Sequence, residues 1–574
     1  MSEKVLITAA LLYANGPLHF GHIAGAYLPG DVYARFMRLM GNDVAYISGS
    51  DEYGVAITLS AEMAKHTPKE HVDLYHKINQ ELFKKLSIQF DHYGRTTSEN
   101  HVAPVQEFFK DLLDGGYIEK HKSEQLYSEQ EKRFLADRYV TGTCPHCKAD
   151  DARGDECPHC GAAFEATDLI NPRSKVTGSP LTFKETEHYF LRFDLFKAQL
   201  KEWLATKKWK SNVVAFVKKY IDDLKPRAIT RDSEWGVPVP LEDAKDKVLY
   251  VGFDAHIGYI TMTQQWSERW SDFWLDEKTR YVQFIGKDNI PFHAIFFPAM
   301  CFGQKQNYKT VDDLPANEFL TLEGRQFSKS SGWTIDLERF FQNFSADQIR
   351  YYLATIAPES ADSEFSWKGF QNTCNSHLVG KFGNLVNRVL TFTRKKLGPQ
   401  MPPCCNAKED DTEFLKKVEE LVCETKSAYH DFSLRRVTQH LMAICDAANS
   451  YFDAKKPWKI ESKEELQTVM GVCLNTLKQL AILASPIIPE AANKLWTMLG
   501  FEGNIVFENG QIPQNQIFPE PSILFQKIED EPIDKEVENL NSLRNLVDAS
   551  EYTPQKKAVD FDHFDGIDLR VAEI

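Results

Sequence analysis

The run Val5-Leu6-Ile7-Thr8-Ala9-Ala10-Leu11-Leu12-Tyr13-Ala14 passes directly into Asn15-Gly16-Pro17-Leu18-His19-Phe20-Gly21-His22. This junction sets the fold class. A short apolar run that ends in a Gly-Pro turn reads as a strand buried on both faces, as in a parallel sheet. A secretory leader fits poorly: Glu3 sits beside Lys4, and no small-residue cleavage site precedes the turn. Gly16 and Pro17 make the turn, and a helix begins near Gly21. The free N–H groups and positive partial charge at a helix start suit a phosphate, and open α/β sheets bind ligands at such strand ends. His19 and His22 straddle that position, and Gly21 lets the backbone or a flat base approach closely. Alone, two such histidines are equally well two incidental surface side chains.

Working outward, Asp31–Met40 reads as helix, Val44–Ser48 as a second apolar strand, and Thr67–Leu86 as a further helix. Residues 114–230 turn polar and turn-rich, and the α/β pattern resumes at Val248–Phe253 and Tyr281–Ile285. The middle segment is therefore expected to interrupt one sheet. From 359 to 500 the chain reads as helical, with Leu378, Phe382, Leu385 and Val389 at helical spacing. The acidic stretch 529–538 reads as a solvated linker.

At ~150 residues per domain, 574 residues suit three to four domains. With 43% hydrophobic and 26% charged residues, a disordered chain is excluded. The net charge of −15 excludes a histone-like basic coat but not one basic face on an acidic protein. No apolar run reaches the ~18 residues of a membrane span. Few cysteines, some of them in helical segments (Cys374, Cys423, Cys445, Cys473), imply a reducing, cytoplasmic setting.

Three further constellations carry chemistry. Phe327-Ser328-Lys329-Ser330-Ser331-Gly332 places a lysine in a Ser/Gly loop that can reach a polyphosphate, although alone it reads as a surface loop. Cys144-x2-Cys147-x9-Cys157-x2-Cys160 has the spacing of a closed, structural Zn²⁺ site, against the alternative of four free thiols. Asn384 and Arg388 share a helix face, and Pro457-Trp458 follows a helical stretch holding Asn449 and Tyr451. An amide, a guanidinium and an exposed aromatic can bind unpaired bases, while Trp458 alone reads more naturally as core.

The pair His19-Phe20-Gly21-His22 and Phe327-Ser328-Lys329-Ser330-Ser331 resembles the two signatures of class I aminoacyl-tRNA synthetases. Over the whole chain the resemblance is to the methionyl-tRNA synthetase family, through Tyr13-Ala14-Asn15-Gly16, Ser50-Asp51-Glu52, Arg231-Asp232, Phe253-Asp254-Ala255, Gly258-Tyr259 and Phe284-Ile285-Gly286-Lys287-Asp288. It implies an α/β fold: a split Rossmann-like parallel sheet with a zinc-knuckle insertion, followed by an α-helical anticodon-binding domain. The implied domains are the two sheet halves at 1–113 and 231–323, the connective insertion at 114–230 and a catalytic-loop and stem-contact region at 324–358. An anticodon-binding domain follows at 359–528, then the acidic linker at 529–556. Phe561-Asp562-His563-Phe564 and Ile567–Val571 resemble the opening of an OB-fold tRNA-binding domain, truncated at 557–574. The insertion is too short to hold an editing domain as well as a zinc site.

The resemblance further implies ATP-dependent activation of methionine and transfer to tRNA(Met), with Mg²⁺ and one structural Zn²⁺. His19, His22 and Lys329 would be catalytic, and Gly21, Ser328 and Ser330 would join them around ATP. Asp51 would pair with the substrate ammonium. Ala10, Leu11, Tyr13, Gly252, Ala255, His256, Tyr259 and His293 would surround the amino acid, and Arg231 would support the site by charge. Asn384, Arg388 and Trp458 would read the anticodon. The intact protein would dimerise through the missing C-terminal domain, leaving this chain monomeric.

Several positions depart from the family pattern near the substrate. Leu12 stands for Pro, Tyr53 for His, Ala56 for Pro, Gly252 for Trp, His256 for Pro, and Pro291 for Val or Tyr; Gln326 stands for the first Lys of the second signature. Losing a Trp at Gly252 removes a large aromatic wall. One expectation is that His256 fills the void. Another is that a bulkier, partly polar methionine analogue does, hydrogen-bonded by His256 or Tyr53, so that methionine is activated poorly. The alternatives outside this chemistry are an inactive tRNA-binding homologue and a zinc-stabilised nucleotide-binding scaffold.

Overall fold

The computed structural model describes residues 2–135, 139–154, 157, 160, 164, 166–328, 332–403, 407–507 and 510–551. Lys329, Ser330 and the expected OB-fold start at 557–574 lie outside them. The opening run forms the strand Lys4–Ala9, in which Val5, Leu6 and Ile7 are fully buried. It lies between Asp43–Asp51 and Arg280–Gly286, parallel to both, with Val5 opposite Val44 and Arg280. Leu12–Tyr13 and His92–Arg95 add to one side, and Ala316–Asn317 to the other, giving a six-stranded parallel sheet. The two halves of the chain thus meet at the first strand, which is buried on both faces because it is central.

After the turn the chain enters Phe20–His22, a wider helical stretch Ile23–Tyr27, and the helix Leu28–Leu39. Pro29 cannot donate the backbone hydrogen bond that a helix would send to Gly25. The side-chain amide of Asn317, at the sheet edge, donates to the Gly25 carbonyl instead, at 2.9 Å. A local sequence problem is solved by a residue almost three hundred positions away. The helix Pro68–Lys85 is capped by Thr67 and Glu70 in a reciprocal pair.

The inserted segment builds its own antiparallel sheet from Ile118–Ser128, Thr182–Leu191, Arg133–Phe134 and Arg227–Ala228. A small three-stranded sheet, Val140–Thr143 with Ala152–Arg153 and Ile170–Ser174, carries the cysteines. Tyr139 at its edge donates to Thr58 on the helix Val55–Met63, 3.0 Å away. That helix follows Asp51-Glu52-Tyr53, so the cysteine module leans on an element adjoining the site.

The C-terminal half is helical as expected, with Leu378, Phe382, Leu385 and Val389 all buried. The helix Lys463–Ala484 is long and apolar enough to cross a membrane, but 83% of its apolar window is buried within the fold, which makes it a core helix. Arg350 is fully buried where the halves join: it pairs with Asp31 at 2.7 Å and donates to the carbonyls of Leu86, Ser87, Pro486 and Ile487.

Two expectations need correcting. Val248–Phe253 is not one extended run: the strand is only Val248–Leu249, and Val251–Trp266 is a helix. Gly252 therefore sits in a first helical turn. The expected solvated linker is instead the start of the helix Asp530–Glu551, which buries Ile533, Glu536 and Leu540. Arg339 holds Glu536 through two hydrogen bonds, at 2.7 and 2.6 Å. The acidic composition hid an inward stripe, because a charge met by a partner can face inward.

Candidate active site

The first signature leaves the central strand and caps the following helix. The backbone N–H of His19 donates to Nδ1 of His22 at 3.2 Å, which assigns the His22 proton to Nε2. The two rings stack at 3.6 Å between centroids. Phe327, from the second signature, stacks on His19 at 4.9 Å and within 5° of parallel. Gly21 is needed here, since a Cβ would lie 3.0 Å from the His19 ring. The fold therefore brings the two signatures together across some 300 residues, with Ser328 bridging in backbone register to Trp333.

Beside this, Ala10 and Leu11 end the central strand; Tyr27 donates to the Ala10 carbonyl at 2.8 Å. Asp51 ends the neighbouring strand and accepts the Ala14 N–H through its carbonyl at 2.9 Å. The helix Val251–Trp266 supplies Ala255, Gly258 and Tyr259; a Cβ on Gly258 would meet Leu11 at 3.1 Å. Tyr259 and His293 share a hydrogen bond of 2.9 Å. Burial holds the His293 imidazole down at about 4, and burial and then His293 hold His256 low, so both rings are neutral. The fold gathers Ala10, Leu11, Asp51, Ala255, Tyr259 and His293 together, with Tyr13 in register beside Asp51 and 41% exposed.

The departures surround the start of one helix. Gly54, next to Tyr53, would touch Val251 if it had a Cβ, and His256 stacks on Phe292, next to Pro291, at 5.8 Å. The space beside Gly252 is filled, but not by His256: a Cβ on Gly252 would lie 2.5 Å from the Tyr250 ring. Nδ1 of His256 is within 3.1 Å of the Gly252 carbonyl, which occupies it locally. Arg231 lies over Tyr250 at 4.2 Å and donates to the carbonyls of Ala228 and Thr230, so its charge holds the replacement wall. Gly252, Tyr250 and Arg231 also line a cavity of about 1110 Å³, together with Phe292 and Phe296. Sequence reasoning missed Tyr250, since only the fold shows its ring turning back over Gly252.

Sequence reasoning also missed the support beneath Asp51. Glu52 is fully buried, bonded to Arg95 at 2.9 Å and to Thr97; Trp235 donates to its carbonyl at 2.7 Å. Burial, opposed by Thr97 and Arg95, leaves its carboxyl at about 7.

Cys144, Cys147, Cys157 and Cys160 place their sulfurs within 4.8 Å of one another, and none is in a disulfide. The backbone N–H groups of His146 and Cys147 point at the Cys144 sulfur, each at 3.4 Å. Four thiols closing on one point, with amides stabilising thiolate, fit Zn²⁺.

In the helical domain Asn384 is exposed, and Arg388 bonds to Asp453 at 2.6 Å and Asn449 at 3.4 Å. Arg388 and Trp458 flank Phe452 at 4.8 and 6.2 Å. Trp458 is 50% exposed, which removes the core-packing reading. For the anticodon role that the resemblance implies, Trp458→Ala would weaken tRNA charging ~5- to 150-fold, the range of one lost stacking platform, and leave adenylate formation unchanged. Parallel loss of both activities would refute a role confined to tRNA.

The end of the parallel sheet thus carries paired histidines at a helix start, backed by the first residue of the second signature. Residues 5–390 match the family model for class I tRNA synthetases (M), and 401–544 match that for the anticodon binding domain of methionyl tRNA ligase. The methionine–tRNA ligase of Protochlamydia amoebophila is 52% identical over 602 aligned positions, covering all of this chain and 86% of that protein. That of Chlamydia abortus is 51% identical over 509 positions, covering 87% of this chain and 92% of that protein. The Mycobacterium tuberculosis methionyl-tRNA synthetase structure with methionyl-adenylate matches with a TM-score of 0.76 at 25% identity, covering 92% of this chain and all of that one. The chain belongs to the methionyl-tRNA synthetase family.

Proposed function

We propose that this chain joins methionine to ATP, giving methionyl-adenylate and pyrophosphate, and then passes the acyl group to tRNA(Met). The observation that supports this most is the stack of Phe327 on His19, which sets the first residue of the second signature against the helix start that carries the first. The methionine carboxylate attacks the α-phosphorus in line. The chemistry is mainly positioning and charge stabilisation. His22, held as an Nε2–H donor, and His19 would donate to the developing phosphate charge. Lys329, with Ser328 and Ser330, would hold the β- and γ-phosphates, and Mg²⁺ would arrive with ATP. Asp51 would hold the ammonium, and Tyr259 and His293 would border the side chain. Asn384, Arg388 and Trp458 would engage the anticodon of tRNA(Met).

Pyrophosphate exchange with each of the twenty amino acids and a series of longer methionine analogues tests this reading. Methionine is expected to give the highest kcat/KM, because Tyr250 restores the wall beside Gly252. A longer, partly polar analogue that exceeds methionine would instead mean that the substrate reaches the cavity lined by Tyr250 and Gly252, and Gly252→Trp with His256→Pro should then abolish that preference. No exchange with any amino acid would overturn catalysis itself.

Cys144, Cys147, Cys157 and Cys160 would hold one Zn²⁺, leaving no open position for catalysis. Metal analysis should find about one Zn²⁺ per chain. Chelation should speed hydrogen exchange in residues 114–230 before ATP binding weakens. Protein prepared without chelator and free of zinc would refute the assignment.

A further inference from the structure

Asn79 stands inside the helix Pro68–Lys85 and is fully buried. Asparagine is a weak helix former, and an amide taken out of water is costly unless it finds partners. Its partners lie in the turn that leads into the first signature. The backbone N–H of Leu18 donates to Oδ1 of Asn79 at 2.8 Å, and Nδ2 of Asn79 donates to the Gly16 carbonyl at 3.3 Å. A backbone N–H only donates and a carbonyl only accepts, so the two contacts fix which way the side-chain amide faces.

The amide thus spans Pro17, which has no N–H of its own. Gly16 and Leu18 are buried on either side of it, in irregular chain between the strand Leu12–Tyr13 and the helical turn Phe20–His22. On the entry side the Ala14 N–H is held by the Asp51 carbonyl at 2.9 Å. On the exit side comes His19, with extended backbone, whose N–H donates to Nδ1 of His22 at 3.2 Å.

Peptide groups are planar. Only the two torsions of Leu18 therefore separate the Pro17–Leu18 amide, which Asn79 holds, from the Leu18–His19 amide, which points at His22. The Leu18 side chain is itself buried and cannot swing without losing its packing. Holding the first amide thus sets the direction of the second. Without Asn79 the buried Leu18 N–H would turn toward water, and the His19 N–H would turn with it.

We propose that Asn79 is a positioning residue for adenylate formation: by clamping the turn across Pro17 it aims the His19 N–H at His22 and keeps His22 an Nε2–H donor. The proposal rests on the amino-acid-activating reading above. Asn79 acts through the backbone of the turn and is not itself catalytic.

Asn79→Leu keeps the approximate shape and removes both hydrogen bonds. In the full chain its kcat for pyrophosphate exchange is expected to fall about tenfold or more, with the KM for methionine changed less than about twofold. Leu82→Ala thins the packing of the same helix and removes neither bond, so it should lower thermal stability and keep kcat near that of the parent. The His22 tautomer is the readout that a merely structural role would not move. Long-range nitrogen–proton NMR spectra of histidine-labelled protein are recorded above the ordinary imidazole range, near pH ~8. The His22 signals are identified by their loss in His22→Ala. They should show a proton on Nε2 in the parent and a mixture of tautomers in Asn79→Leu. Added to His22→Ala, Asn79→Leu should cost less than about threefold more, because both act on one donor.

If Asn79→Leu does not fold, Asn79→Asp takes its place in each measurement, since it keeps the acceptor for Leu18 and loses the donor to Gly16. A parent-like kcat, an unchanged His22 tautomer, or a full further loss on the His22→Ala background would overturn the proposal. No exchange in the parent would instead count against the amino-acid-activating reading, and the tautomer comparison would still decide whether Asn79 positions His22.

Discussion

Replacing His22 or Lys329 with alanine is expected to lower pyrophosphate exchange about a hundredfold or more, while methionine affinity changes little. Each substitution removes a donor or charge aimed at the phosphates, an effect of ~3 kcal/mol by analogy with an oxyanion donor. For His22 the geometry sharpens the expectation. The His19 N–H takes up Nδ1 of His22, so the remaining proton is presented from Nε2. The ring also stacks on His19, itself covered by Phe327. Phe327→Leu should therefore show a smaller loss, since it disturbs the backing of His19 and removes no donor. Near-normal exchange in both His22→Ala and Lys329→Ala would refute the assigned roles. Thermal unfolding of each variant separates lost chemistry from lost folding.

Arg350→Leu is expected to destabilise the protein by ~3–5 kcal/mol, the usual cost of removing one partner from a buried ion pair. Arg350 is wholly buried and bonds to Asp31 and to four backbone carbonyls. Those carbonyls belong to the end of the helix Pro68–Lys85 and to the turn after Lys463–Ala484, so the loss should loosen the join between the sheet and helical domains. Urea denaturation followed by tryptophan fluorescence should show an earlier transition; an unchanged midpoint would refute the account.

The same pair has a pH signature. Burial alone would raise the Asp31 carboxyl, but the charges of Arg35 and Arg350 outweigh it and hold it below its ordinary value. A depressed carboxylate contributes stability above its unfolded pKa, near 4, and loses it as pH falls through the folded value. The parent should thus lose stability below about pH 4 more steeply than Arg350→Leu.

Much of the architecture was legible because burial leaves periodic traces. Val5–Ala9 reads as a central strand because both of its faces are apolar. Leu378, Phe382, Leu385 and Val389 read as a helix because one face repeats. Two places misled for the same reason: composition does not show partners. Residues 529–538 look solvated until Arg339 meets Glu536. Val248–Phe253 looks like a strand until the helix beginning at Val251 claims half of it. Gly252 marked an unusual pocket, but only the fold shows the Tyr250 ring filling the space beside it.

The central strand, the long helices, the two signatures and the four-cysteine spacing were legible in the sequence, since each depends on residue type and spacing along the chain. Which distant groups meet emerged only from the tertiary structure: Phe327 on His19, Asn317 on Gly25, and Tyr259 on His293. These are contacts between residues up to some 300 positions apart. No local periodicity encodes them, because they arise only when separate strands and helices close around one core. The protonation of a buried carboxylate is decided there too, by what surrounds it in space and not by its neighbours in the chain.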